Sequence, residues 1–263
     1  KARILVSDSQ INDHNRSWLK EGIKRKIVHG VGGAFVAGAP QRRYVEALGV
    51  RPAAVVEGCD VVDNAHFAPA RALRQTGGFR LLTVARWSPE KNLLEAGKAF
   101  MAFVAGRPAS EPWCWSLVGY GPLEELVKSM ARDSQGRIRL LGAKTYTELP
   151  ATLGEADLLW QPSIRETWGL VVNEAMAAGL PVLVSSRCGC HEDLVTPETG
   201  WRFDPFSERS MVQALEDAAR RHADWPMMGA AAAALIDQWG LPRFSAGVLD
   251  AVRIATTLES GNQ

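Results

Sequence analysis

The sequence predicts an α/β protein built on a doubly wound parallel sheet, and three observations carry that prediction. Short apolar runs alternate with longer periodic segments along nearly the whole chain. The apolar runs are continuous rather than alternating, as in strands covered by helices on both faces. Six of them follow one another after residue 78 with helix-length segments in between, which is the grammar of an open sheet with crossovers.

The element series begins at the amino end. Residues 3–8 (RILVSD) read as a strand, 13–26 as a helix, 33–38 as a strand, 41–48 as a helix and 53–58 as a strand. Residues 59–78 carry turn and breaker residues with little periodicity, as expected of a linker between two lobes. Beyond it, strands are expected at 80–86, 113–119, 138–143, 156–162, 181–186 and 200–205. Helices are expected at 91–105, 122–132, 147–154, 169–178 and 207–222. The tail adds an Ala-rich helix at 229–237 and a final helix to about 258. The domain reading is therefore a partial first lobe at 1–58, a linker at 59–78, a second lobe at 79–224 and terminal helices at 225–263. The chain opens inside its first strand, so further sequence is expected upstream.

Composition narrows the function classes. The 263 residues are 46% hydrophobic and 22% charged with a net charge of +1, an ordinary globular balance with no nucleic-acid footprint. The basic run KEGIKRK at 20–26 reads as a solvated helix face. No apolar run approaches the roughly 18 residues of a membrane span, and no leader peptide is visible, so the cytoplasm is the expected compartment. Cys188, Cys190 and His191 lie close together without a second ligand pair, and they read as a small-residue turn rather than a metal site.

In open parallel sheets, ligands bind beyond the carboxyl ends of the strands. Four such loops stand out. In VARWSPEKNL, Arg86 and Lys91 flank a turn before a helix, where dipole and free amides add to their charge at an anion site; a surface turn with two solvated cations fits as well. In VGYGPLEEL, Gly119 and Gly121 permit close approach by a ligand or by backbone, while Glu124 occupies the third-glycine position of a dinucleotide fingerprint and argues against NAD. In LGAKTYTEL, Ala143 and Lys144 follow a strand, with Thr147 as a candidate helix cap.

The fourth loop, PSIRETWGLVVNEAM, holds two carboxylates. Glu166 lies in a turn-like stretch, and Glu174 in a helix flanked by Val172, Ala175 and Met176. Eight helical residues give about 80° of rotation and 12 Å of rise, so one ligand meets both only if Glu166 is in the loop. Carboxylates accept hydrogen bonds only, which suits the hydroxyls of a sugar or ribose; a salt-bridged helix glutamate is the alternative for Glu174. The free amides of Trp168, Gly169 and Leu170 lie at the helix start. Together the four loops supply the parts that would hold a nucleoside diphosphate carrying a sugar.

On these motifs the chain resembles the retaining GT-B glycosyltransferases of family 4, the glycosyl transferases group 1. RETWGLVVNEAMAAGLPV resembles their E-x7-E element, VARWSPEKN their Arg…Lys diphosphate motif and LVGYGPLEEL their glycine loop. The resemblance runs over about 33–250. It implies a UDP- or GDP-sugar donor and a saccharide, lipid-linked or small-molecule hydroxyl acceptor, without nucleic acid and without a required metal. It also implies catalytic-region roles for Glu166, Arg86 and Lys91. Donor contacts would come from Gly119, Gly121, Ala143, Lys144, Trp168, Gly169, Leu170 and Glu174, with Glu174 on the ribose and the base near Ala143 and Lys144. The Trp168 side chain is expected to pack. Much of the family's first lobe, about 100 residues, has no counterpart here, and any peripheral membrane contact would belong to it. A nucleotide-sugar-binding module without catalysis is the second reading; a glycoside hydrolase or an oxidoreductase leaves the cation pair or the glycine loop unused.

Overall fold

The computed structural model describes residues 2–14, 16–73, 78–108 and 110–260, without the side chains of 258–260. Its first part runs β1 (Ile4–Ser7), α1 (Trp18–Val28), β2 (Gly33–Val36), α2 (Ala39–Ala47), β3 (Val55–Glu57) and α3 (Asn64–Phe67). The second runs β4 (Arg80–Val84), α4 (Leu93–Ala105), β5 (Cys114–Val118), α5 (Glu124–Asp133), β6 (Ile138–Gly142) and α6 (Leu149–Gly154). It continues with β7 (Leu158–Gln161), α7 (Leu170–Ala177), β8 (Val182–Ser185), α8 (His191–Leu194), β9 (Gly200–Phe203) and α9 (Glu208–Arg220). Two helices close the chain, α10 (Trp225–Ile236) and α11 (Leu241–Ser260).

Two parallel sheets result. The first has the order β1-β2-β3 and the second the order β6-β5-β4-β7-β8-β9. In the second, β4 pairs with β5 on one side and with β7 on the other, Leu81 opposite Leu158 and Leu82 opposite Leu159. Chain order therefore reverses between β4 and β7, and a crevice opens beyond their carboxyl ends. All strand residues of β7 and β8 are buried, as the unbroken apolar runs require.

The second sheet is cored on both faces. On one face α4, α5 and α9 cover Trp113, Trp115 and Trp160, each fully buried. Helix α9 shows why its sequence is helical: the Ser207 hydroxyl accepts from the Ser210 amide, and Met211, Ala214, Leu215 and Ala218 form one apolar face. On the other face α3, α7 and α10 cover Phe67, Trp168, Val172 and Ile236. Helix α11 lies across the first sheet, where Phe244 meets Phe35 at 5.5 Å and a side chain at Gly247 would overlap that Phe35 ring. Among the described residues no helix is long and apolar enough to cross a membrane.

Three local expectations are refined. Helix α1 begins at Trp18 rather than near residue 13, because Asp13 accepts from the Gln10 amide at 2.7 Å and folds 10–13 into a turn. The expected linker at 59–78 carries short helical turns: Asp63 caps α3 through the Ala65 amide, and residues 68–73 form 3-10 turns; 74–77 lie outside the described residues. The turn after β8 ends in the short helix α8.

The amino ends of β4 and β7 are tied by one ion pair. Arg80 Nε and Nη2 reach the Asp157 carboxylate at 2.7 and 2.8 Å, and the Arg80 amide reaches it at 3.0 Å. The Asp157 side chain is only 5% exposed. Asp157→Ala is expected to cost about 3 kcal/mol in urea unfolding, the lower end for removing one partner of a buried pair. A loss under about 0.5 kcal/mol, the level of a surface substitution, would show the pair to be unimportant for the switch.

Candidate functional site at the sheet switch point

Arg86, Gly119, Gly121, Ala143 and Lys144 come from three different βα loops, and all five line one cleft of 680 Å³ with Tyr120, Pro122 and Leu149. The cleft lies at the carboxyl ends of β4, β5 and β6. Arg86 is exposed and its side chain has no partner among the described residues, so its guanidinium is available to an anion. The two glycines are there for the backbone: a Cβ at Gly119 would overlap the Ala85 carbonyl oxygen, and one at Gly121 would overlap that of Trp87. Gly119 also has φ 137°, a left-handed conformation that disfavours a side chain. The sequence left ligand and backbone open as the reason for these glycines; in this structure the backbone of the β4 loop is the neighbour.

Lys91 takes a different place from Arg86. It ends a 3-10 turn at 89–91, after which Asn92, at φ 58°, starts α4. Its ammonium pairs directly with Glu166 Oε2, both side chains being 18% exposed. Gln161 Nε2 and the Ser163 hydroxyl converge on the same oxygen at 3.1 and 3.3 Å. Three donors thus hold Oε2, while Glu166 Oε1 accepts from no described residue. The carboxylate is fixed on one side and open on the other.

Glu166 lies in the loop after β7, as a shared ligand requires. Gly169, at φ 106°, starts α7 and sits so close to Glu166 that a Cβ would meet the Glu166 side chain at 3.3 Å. The amides of Trp168, Gly169 and Leu170 donate to no described residue, leaving the positive end of α7 open. The Trp168 side chain is 1% exposed, stacks on Trp239 at 5.2 Å and donates to Asn173 Oδ1 at 2.9 Å. Its indole is structural.

Glu174 is half-buried on α7, and its carboxylate has neither a hydrogen bond nor an ion pair with any described residue. Burial pushes its pKa up to about 7, opposed only by the nearby His66. The salt-bridged alternative is therefore excluded among the described residues. His66 and Tyr146 stand beside it, their rings stacked at 4.1 Å, with His66 Nε2 against the Tyr146 carbonyl at 2.9 Å.

One expectation about neighbouring residues changes. Thr147 does not cap α6; Glu148 is the cap residue, and its carboxylate accepts from the Thr145 amide and hydroxyl. Cys188 and Cys190 are fully buried, desolvation raising both thiols, and His191 Nδ1 turns to the Cys188 carbonyl at 2.8 Å. Among the described residues no three His, Cys, Asp or Glu side chains are gathered as a metal site. The sequence reading missed Gln161, Ser163 and His66. Gln161 did carry a signal, since it is a polar residue in an otherwise apolar strand; His66 carried none.

Comparison with known proteins bears on the family and the fold. Residues 67–228 match the family model for glycosyl transferases group 1. A GDP-mannose-dependent monoacylated alpha-(1-6)-phosphatidylinositol monomannoside mannosyltransferase of Corynebacterium glutamicum is 30% identical over 223 residues, covering 75% of this chain and 55% of that protein. A glycogen synthase of Mycobacterium tuberculosis is 31% identical over 170 residues, covering 62% and 40%. The chain thus spans about half the length of these curated relatives or less. Among solved structures, Anabaena Alr3699/HepE in complex with UDP superposes with a TM-score of 0.75 at 17% identity, covering 99% of this chain and 72% of that one. TarM does so with a TM-score of 0.76 at 16% identity, covering 95% and 50%. Sequence and fold agree: the chain has the GT-B architecture and belongs to the glycosyl transferases group 1 family.

Proposed function

We propose that this chain holds the nucleoside-diphosphate-sugar donor of a retaining glycosyltransferase, which passes the sugar to a hydroxyl acceptor. The observation that carries the reading is Glu174, a desolvated carboxylate on α7 without a partner among the described residues. A ribose diol supplies the two donors that such a group lacks. The cleft lined by Arg86, Gly119, Gly121, Ala143 and Lys144 then takes the base and diphosphate, with the base near Ala143 and Lys144. Glu166 Oε1 accepts from the donor sugar, and the amides of Trp168, Gly169 and Leu170 face sugar and phosphate.

In this reading the bond between the anomeric carbon and the diphosphate oxygen breaks while the acceptor oxygen bonds to the same face. The acceptor proton passes to the departing phosphate oxygen. Negative charge grows on that oxygen, and Arg86 and Lys91 stabilise it, so no metal is asked for. UDP and GDP are the nucleoside diphosphates proposed: the Corynebacterium relative is named for GDP-mannose, and the Anabaena structure contains UDP. Lipid-linked, saccharide and small-molecule acceptors all fit, since relatives are named for a phosphatidylinositol mannoside, for glycogen and for D-inositol 3-phosphate. A binding module without turnover is the second reading, favoured by the chain's spanning only about half of those relatives.

Three outcomes follow. Arg86→Ala is expected to weaken nucleoside diphosphates by roughly 10- to 100-fold in calorimetric titration, the worth of a charge-assisted hydrogen bond, and to leave the bare nucleoside unchanged. Equal loss for both ligands would remove Arg86 from the diphosphate. If an α-configured donor is turned over with an acceptor, proton NMR of the fresh product is expected to show an α-linkage; a β-linkage would contradict retention.

The third outcome concerns pH. Because burial raises the Glu174 pKa from 4.5 to about 7, the native state of the free protein binds a proton that the unfolded state releases. The associated stability is full below pH 4.5 and is lost as pH rises through about 7. Asp60 and Asp193, both raised to about 6 by burial, act in the same direction, so the comparison must be made against Glu174→Gln. That variant is expected to gain melting temperature over wild type as pH rises through this range. Nucleoside diphosphate affinity of the wild type should rise over the same range, because the ionised carboxylate accepts both ribose hydroxyls. Parallel stability curves for the two proteins would show that Glu174 is not the desolvated group described.

A further inference from the structure

Two buried carboxamides of the first part of the chain grip the loop that carries Glu166. Gln10, after β1, is 2% exposed, and its Nε2 donates to the Glu166 carbonyl at 2.9 Å and to the Arg187 carbonyl at 3.2 Å. Gln41, in the first turn of α2, is fully buried, and its Nε2 donates to the Thr167 carbonyl at 2.6 Å. Consecutive carbonyls of the second sheet's loop are thus held by side chains from the first sheet's layer.

The surroundings are built for this contact. A Cβ at Gly189 would overlap both the Thr167 carbonyl oxygen and Gln41 Nε2, so only glycine lets them meet. The Gly189 amide donates to the Glu166 carbonyl at 3.0 Å from the other side. Gln10 is itself fixed: its amide donates to Asp13, and its carbonyl accepts from Arg16. Asp193 accepts from the Ala39 amide at 3.1 Å, tying the start of α2 to α8.

Gln41 Oε1 is buried with no hydrogen-bond partner among the described residues. An unmet buried acceptor costs about 1–3 kcal/mol, and a methionine would fill similar volume without it but would leave the Thr167 carbonyl without its Gln41 donor. The glutamine at this position is thus tied to the Thr167 carbonyl rather than to packing alone.

We propose that Gln10 and Gln41 are positioning residues for Glu166. They fix the 166–167 backbone so that Oε1 faces the donor sugar, and they make this geometry depend on the seating of the first sheet against the second. The consequence for the donor rests on the role proposed above for Glu166; the grip on the loop does not.

Gln10→Met and Gln41→Met test the two statements separately. Hydrogen exchange by NMR reads the loop in the free chain through Ile164, Gly189 and Cys190, whose amides bond to Glu90, Glu166 and Trp168. Each variant is expected to exchange these amides about tenfold faster while the β7 amides stay within about twofold. Unchanged exchange at those three amides would overturn the proposal. Gln10→Met, at the less buried end of the grip, decides the matter if Gln41→Met does not fold.

Titration then compares the nucleotide sugar with the bare nucleoside diphosphate. The ratio of their dissociation constants is expected to rise about tenfold in each variant, one hydrogen bond's worth, with the bare diphosphate unaffected. Equal weakening of both ligands together with a lower melting temperature would mean a merely structural role and overturn the proposal. Glu166→Gln is the control. If it leaves the ratio unchanged, the role of Glu166 fails, while the exchange result still decides whether the glutamines hold the loop.

Discussion

The pairing of β4 with β7 is the constraint on which the rest depends. Two complete βα units, β5–α5 and β6–α6, are inserted between these neighbours in space, and both units lie on the far side of β4. The chain must then leave β4 toward one side and β7 toward the other, and the gap between those exits is where a ligand can enter. The Arg86 and Lys91 loop lines one side, and the Glu166 loop and the start of α7 line the other. The Lys91–Glu166 pair closes the floor between them, joining residues 75 apart in sequence.

Electrostatics divides the crevice by function. Where charges are paired, at Lys91 and Glu166, the geometry is held by several donors converging on one oxygen. At Arg86 and Glu174 a cation and an anion stand without partners among the described residues. The half-buried carboxylate of Glu174 is costly to keep ionised without a partner, and the exposed Arg86 guanidinium is open to an anion, so both are natural places for a ligand of complementary chemistry. The cation suits a phosphate and the carboxylate suits hydroxyls, and a nucleoside diphosphate carries both in sequence.

Much of this was legible in the sequence because it is local. Unbroken apolar runs announced the strands of the second sheet, and the turn-like stretch around Glu166 announced that it lies in a loop. The glycines of the β5 loop were legible as a need for space, though not what needs it, because the neighbouring Ala85 and Trp87 carbonyls come from another loop. What was not legible is tertiary. Thr147 has the right residue type and position for a cap, yet Glu148 closes the turn instead by folding back onto Thr145. The approach of His66 to Glu174, and of Gln10 and Gln41 to the Glu166 loop, joins residues more than 100 apart. Nothing in local spacing records those contacts.

The central claim is that this crevice holds a nucleoside diphosphate and its sugar. Calorimetric titration of the wild-type chain with UDP, GDP, ADP and NADH tests it most directly, with Glu174→Ala run alongside. The account predicts one-site binding of UDP or GDP that is abolished in Glu174→Ala, and no binding of NADH. Binding of NADH alone, or nucleoside diphosphate binding untouched by Glu174→Ala, would contradict it.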